Sequence, residues 1–224
     1  MVLCTQMIEF LAGDENPLAA EDQEILRNSI MELCESNVST ASIKADDRAP
    51  DFTLSSIGGN EVRSADLVRK GPLIITFFRG LWCKYSHTKL TALEAINKSV
   101  ISRGASIIAI SPQVHFSSTD MQRKSLLSFP VLRDTHSRVA LQFQVTWRLS
   151  YLLKKRYLML GADLDKLNGE GSYTLPMASL FVIDKQGIIV YSEVNANYLQ
   201  PINVDELFLV LDNMPRLRKA RAMK

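Results

Sequence analysis

The run Leu73-Ile-Ile-Thr-Phe-Phe78 is almost unbroken apolar sequence of strand length, and it stops abruptly at Arg79-Gly80. A strand without a polar face must be covered on both sides, so it belongs at the centre of a sheet with layers packed above and below it. Directly after it come Leu81-Trp82-Cys83 and then Leu90, Leu93, Ile96 and Val100, at the three- and four-residue spacings of an amphipathic helix that ends near Gly104. Ser106 to Ile110 is a second apolar run. Strand, helix and strand in this order predict a βαβ unit.

Upstream, Ala49 to Leu67 reads as two short strands turning at Gly58-Gly59. Downstream, a weaker helix over Thr119–Leu127 precedes Phe129-Pro-Val-Leu132, which has the length of a short edge strand. His136 to Phe143 and Arg148 to Leu160 read as helices, and Gly161 to Tyr173 as a polar, turn-rich segment. Ser179–Asp184 and Ile188–Val194 flank Lys185-Gln186-Gly187 as a hairpin, and a last helix over Val204–Asn213 should stop before Pro215. The order is that of the thioredoxin topology in the α/β class, with an added N-terminal hairpin and a helical insertion after the second core strand.

Three parts are expected along the 224 residues: a helical leader over 1–45, a thioredoxin-like domain over 46–214, and a basic tail over 215–224. The leader carries acids ahead of a stripe of Ile25, Leu26, Ile30, Leu33 and Cys34. A net charge of +2 gives no reason to expect a nucleic-acid partner. No apolar stretch approaches the ~20 residues of a membrane span, and the N-terminus lacks the basic start of a secretory signal, so a cytoplasmic protein is expected. Cys4, Cys34 and Cys83 are too few and too scattered for a disulfide scaffold or a zinc site.

Cys83 stands where the helix after the central strand begins. Backbone N–H groups and the helix dipole at that point favour a thiolate, the reactive form, and Arg79 can add a permanent positive charge. The bland reading of Cys83 is a small core hydrophobe, and of Arg79 a solvated strand end. Trp82 reads as a packing residue. His87, one turn on, either assists the thiolate when protonated or lies on a wet face. Arg133 and Arg148 are read as structural. Cys34 sits on the leader's apolar stripe, where burial is expected.

Four segments, APDFTL at Ala49, FFRGLWCKYS at Phe77, FPVLRD at Phe129 and LPMASLFVIDKQGIIVYSEVNANY at Leu175, resemble the peroxiredoxins of the alkyl hydroperoxide reductase C and thiol-specific antioxidant family. The resemblance is strongest to the branch whose central strand ends in Arg-Gly-x-Trp-Cys, and it covers about Ala49 to Leu211. It implies a thiol peroxidase in which Cys83 attacks a hydroperoxide and becomes a sulfenic acid, with Arg79 as the anion partner. It also implies a pocket involving Gly80, Trp82, Lys84 and Pro176, with Leu175-Pro176 as a cis-proline facing the cysteine. A second thiol, Cys34 or Cys4, or an external thioredoxin- or glutathione-type donor would then resolve the intermediate. No metal or organic cofactor is implied. Relatives of this kind commonly dimerise, and the leader helix is a candidate interface.

The sequence departs from the family at four positions. Thr76 and Gly80 stand where Pro-x-x-x-Thr/Ser-x-x-Cys has its proline and hydroxyl, Ser86 replaces a second cysteine, and Lys84 replaces a proline. These departures keep two other readings open, a monothiol disulfide oxidoreductase and a binding or regulatory module on the same fold.

Overall fold

The computed structural model describes residues 20–35, 38–197 and 200–222. Its core is a seven-stranded sheet built around the run that opened the sequence. That run is β3 (Leu73–Phe77), fully buried along its length. It pairs in parallel with β4 (Ser106–Ser111) and antiparallel with β8 (Ala178–Ile183). The sheet is completed by β1 (Thr53–Ser56), β2 (Glu61–Arg63), β5 (Val131–Arg133) and β9 (Ile189–Asn195), in the order β2-β1-β5-β4-β3-β8-β9.

Among the described residues the helices are α1 (Ala20–Glu35), the short α2 (Val38–Ala41), α3 (Ser64–Lys70), α4 (Lys84–Ser102), α5 (Ser118–Ser125), α6 (Arg138–Gln142), α7 (Tyr151–Met159), α8 (Leu164–Asn168) and α9 (Val204–Ala222). Each face of the sheet has its own core. One contains Ile74, Leu90, Leu93, Val100, Ile107, Leu180, Leu207 and Leu211, bringing α4 and α9 onto the sheet. The other is centred on Phe77, Phe143 and Phe181, with ring centroids 5.1 to 6.1 Å apart. Tilted and edge-on rings at this spacing add to their burial energy.

The helical insertion has a third, smaller core of Leu149, Leu153, Tyr157, Leu164 and Leu175. A two-stranded ribbon, β6 (Thr146–Arg148) with β7 (Thr174–Pro176), closes its base. Ser150 caps α7 by accepting the Leu153 N–H at 3.2 Å, a contact that fixes where the helix starts. The insertion is therefore an anchored element, and it delivers Tyr157 to the end of β3.

Five sequence expectations change. Phe129–Leu132 was expected to supply an edge strand, but β5 is interior, because the β1–β2 hairpin adds to its outer side. Arg148, expected to open a helix, lies in the strand Thr146–Arg148 instead, and Ser64–Lys70, part of the segment expected as a hairpin, is helical. The last helix passes through Pro215 to Ala222. Leu207, Leu211 and Met214 are buried in the turns before it, and packing of that face outweighs the hydrogen bond that proline removes. In α1, Leu33 is buried while Cys34 is exposed, so the expected burial of Cys34 does not occur. The two residues point about 100° apart around the helix, and only one can face the body. No helix among the described residues is long and apolar enough to cross a membrane.

Candidate active site

The site forms where β3 ends and α4 begins. Phe78 N–H still bonds to Ile110 at 3.0 Å, and the chain then turns through Gly80, whose carbonyl accepts the Cys83 N–H at 3.2 Å. Cys83 is the extended N-cap residue of α4, and its carbonyl accepts the first helical bond, from His87 N–H at 3.0 Å. The first-turn N–H groups of such a helix point outward past the N-cap, toward any anion held there. Cys83 is itself only 6% exposed.

Arg79 is 5% exposed. Its Nη1 donates to Tyr157 Oη at 2.7 Å, and its guanidinium carbon lies 5.9 Å from the Trp147 ring and 6.0 Å from the Tyr157 ring. Trp82 meets Tyr157 edge-on at 6.1 Å. A guanidinium suits such a place, being weakly hydrated, planar and charged at every accessible pH. The solvated reading of Arg79 does not hold, since aromatic residues brought in by the insertion enclose it.

The turn is held from a second side by Gln113, which is fully buried after β4. Its Oε1 accepts the Leu81 N–H at 2.7 Å, while its Nε2 donates to the His115 carbonyl at 2.8 Å and to Asp120 Oδ2 at 2.9 Å. Arg123 Nη1 donates to the Leu81 carbonyl at 2.6 Å. Both backbone groups of Leu81 are thereby fixed. Gln113→Leu leaves the Leu81 N–H buried without its acceptor, and should cost roughly 1–3 kcal/mol, read as a lower denaturant midpoint. An unchanged midpoint would mean that the turn is held without it.

A small cavity beside Cys83 is walled by Thr76, Arg79, Ser86, Lys89 and Ala178. Its volume is about 10 Å³, on the order of the room one water molecule needs. Thr76 Oγ1 is turned to the Ser179 carbonyl at 3.0 Å. Lys89 is half-buried, and burial, the largest influence on it, pushes its ammonium down to about 8. Glu193 and Cys83 oppose that shift, and Arg79 adds to it.

The other sequence-derived residues fall outside this cavity. Gly80 and Trp82 form the turn beneath it, with the indole lying over Gly80. Pro176 is buried in the β6–β7 ribbon, and no cis peptide occurs among the described residues, so the expected cis-proline is not found. Ala178, two residues further on, lines the cavity together with Cys83. Lys84 opens α4, its side chain lying outside the described residues, as does all of Cys4. His87 is held below the usual histidine range by burial first and by Arg123 second. Arg133 donates to the Ile57 carbonyl at 3.3 Å and stacks on Phe116, and Arg148 is exposed.

Tyr157, Trp147, Gln113 and Ala178 carried no local signal, because each reaches the site from a distant segment. Lys89 did carry one. It continues the three-residue ladder Cys83, Ser86, Lys89 next to the apolar stripe, an unusual place for a lysine.

The profile of the AhpC/TSA family matches residues 45–192, two thirds of the chain. The chain belongs to this family. It is 26% identical over 180 residues to a chloroplastic 2-cysteine peroxiredoxin of Chattonella marina var. antiqua, covering 76% of this chain and 80% of that protein. Among solved structures it is similar to the peroxidoxin BcpB of Mycobacterium tuberculosis, at 18% identity and a TM-score of 0.56, covering 76% of this chain and 97% of that one. It is also similar to a yeast mitochondrial 1-Cys peroxiredoxin, at 15% identity and a TM-score of 0.57, covering 79% and 78%. At these identities the structural matches establish the fold, here the thioredoxin-like fold of an AhpC/TSA protein.

Proposed function

We infer that this AhpC/TSA protein is a thiol-dependent peroxidase that reduces hydrogen peroxide or small organic hydroperoxides at Cys83. The observation that carries the reading is the cavity itself. A helix-capping cysteine and a buried arginine line one small cavity, with room on the order of one oxygen atom beside the sulfur. The Cys83 thiolate attacks the terminal oxygen, an S–O bond forms and the O–O bond breaks. Sulfur gives up two electrons, leaving a sulfenic acid and releasing water or an alcohol. Arg79 and the first-turn N–H groups of α4 stabilise the negative charge that develops on oxygen.

Resolution by an external thiol, of the glutathione or thioredoxin type, fits the described cysteines best. Of the two described, Cys34 is exposed on α1 while Cys83 is buried at the cavity. The incoming thiol condenses with the sulfenic acid, water leaves, and a second thiol reduces the mixed disulfide. Burial of Cys83 weighs against a bulky disulfide as first substrate, the requirement of the monothiol exchange reading.

The test is to oxidise the reduced protein with equimolar hydrogen peroxide in the presence of dimedone and locate the adduct by peptide mass spectrometry. The expected result is one adduct, on Cys83. No adduct, or one on Cys34 alone, would sink the peroxidase reading and leave the binding module in its place.

A further inference from the structure

Lys89 is a cation in the wall of the cavity to which the peroxidase step described above gives no role. It lies between two neighbouring cavities. The first holds Cys83 and Arg79, and the second, also about 10 Å³, is lined by Glu193, Asn195 and Ser179. Thr76, Lys89 and Ala178 belong to the walls of both. The titratable and charged groups facing it are Arg79 from the end of β3, Cys83 and Tyr85 from the start of α4, and Glu193 from β9. Glu193 is fixed in turn, accepting from Tyr191 at 3.2 Å and Asn195 at 2.6 Å.

We propose that Lys89 is the general acid of the peroxidase step, delivering a proton to the oxygen that leaves when the O–O bond breaks. The inference rests on the peroxidase reading above. The Cys83 thiolate takes the terminal oxygen of R–O–OH, with its hydrogen, as a sulfenic acid. The departing R–O⁻ takes a proton from the Lys89 ammonium and leaves as water or an alcohol. Lys89 remains as a neutral amine and is reprotonated from solvent, with Glu193 favouring the charged form. Sulfur has lost two electrons and the O–O bond has gained them.

The other members of the wall are poorer acids. A guanidinium does not give up its proton in a protein. Serine and threonine hydroxyls are weaker still than tyrosine, whose ordinary value near 10 is already high, and the Thr76 hydroxyl is turned to a backbone carbonyl. A lysine brought down to about 8 is charged at neutral pH and can still let the proton go.

The experiment compares wild type, Lys89→Met and Lys89→Arg by stopped-flow tryptophan fluorescence against two oxidants at neutral pH, hydrogen peroxide and peracetic acid. Hydrogen peroxide expels hydroxide, which needs the proton. Peracetic acid expels a carboxylate, which does not. Lys89→Met should lose about 100-fold against hydrogen peroxide and stay within about threefold of wild type against peracetic acid. Lys89→Arg keeps the charge without a transferable proton, so it should behave like Lys89→Met. The wild-type rate with hydrogen peroxide should fall above about pH 8, and both variants should lack that limb. Equal losses against both oxidants, full activity of Lys89→Arg, or no loss in either variant would each overturn the assignment. A wild-type protein that reacts with neither oxidant would fail the peroxidase reading itself, whatever the variants do. Because burial of the ammonium opposes folding, Lys89→Met should melt no lower than wild type; should it fail to fold, Lys89→Arg alone decides between proton and charge.

Discussion

Arg79→Met should slow the reaction of reduced protein with hydrogen peroxide by on the order of 10²–10³-fold, the usual cost of removing one fixed donor aimed at a developing oxyanion. Methionine nearly preserves volume, so the loss measures charge and donors rather than a hole. Stability should move much less than rate. The substitution leaves the Tyr157 hydroxyl without the 2.7 Å donor it has now, but it also relieves the cost of burying a guanidinium that is 5% exposed. Arg79→Lys restores the charge without the flat contact to Trp147 and Tyr157, and should recover roughly a tenth of the wild-type rate. Stopped-flow fluorescence gives the rates, and a denaturant titration gives the stabilities. An Arg79→Met protein within threefold of wild type would make Arg79 a structural residue and remove it from the mechanism.

Gly80→Ala should be the most damaging single change to the fold at the site. Gly80 has φ of +154°, a region that side chains other than hydrogen rarely enter. A Cβ there would stand 2.2 Å from Trp82 Nε1 and 2.9 Å from Gln113 Oε1. Neither neighbour yields cheaply. Moving the indole disturbs its edge-on contact with Tyr157, and moving the amide breaks the bond that fixes Leu81. Backbone strain and overpacking together come to about 2–5 kcal/mol, which for a chain of this size lowers Tm by roughly 5–15 °C. Peroxide reactivity should fall with it, because the same turn aims Cys83. A variant with an unchanged midpoint and rate would show that the turn adopts another path at little cost.

These two neighbours also explain why the family's hydroxyl is absent from this position. A threonine at position 80 would meet the same indole and the same glutamine oxygen. With glycine at position 80, an indole lies where the family's pattern has a hydroxyl, and Arg79 and Lys89 are the cationic donors at the cavity.

The sequence by itself determined the order of the core elements, the central strand and the place of the cysteine. Each follows from a local rule. Leu73–Phe77 has no polar face, the three- and four-residue spacing after Cys83 admits only a helix, and the Lys185-Gln186-Gly187 turn pairs its two flanks. Cys83 at the start of the helix was legible for the same reason, since it lies at the boundary between two periodic patterns.

Only the tertiary structure decided what surrounds the sulfur. Tyr157 reaches Arg79 across 78 residues and Gln113 reaches Leu81 across 32, and no periodicity within a segment encodes a partner at that distance. The sheet order made β5 interior, packing of Leu207, Leu211 and Met214 carried α9 past Pro215, and the rotation of α1 put Leu33 inside and Cys34 out. In each case a surface became buried because of what another part of the chain placed against it, and burial is a property of the assembled fold rather than of any one segment.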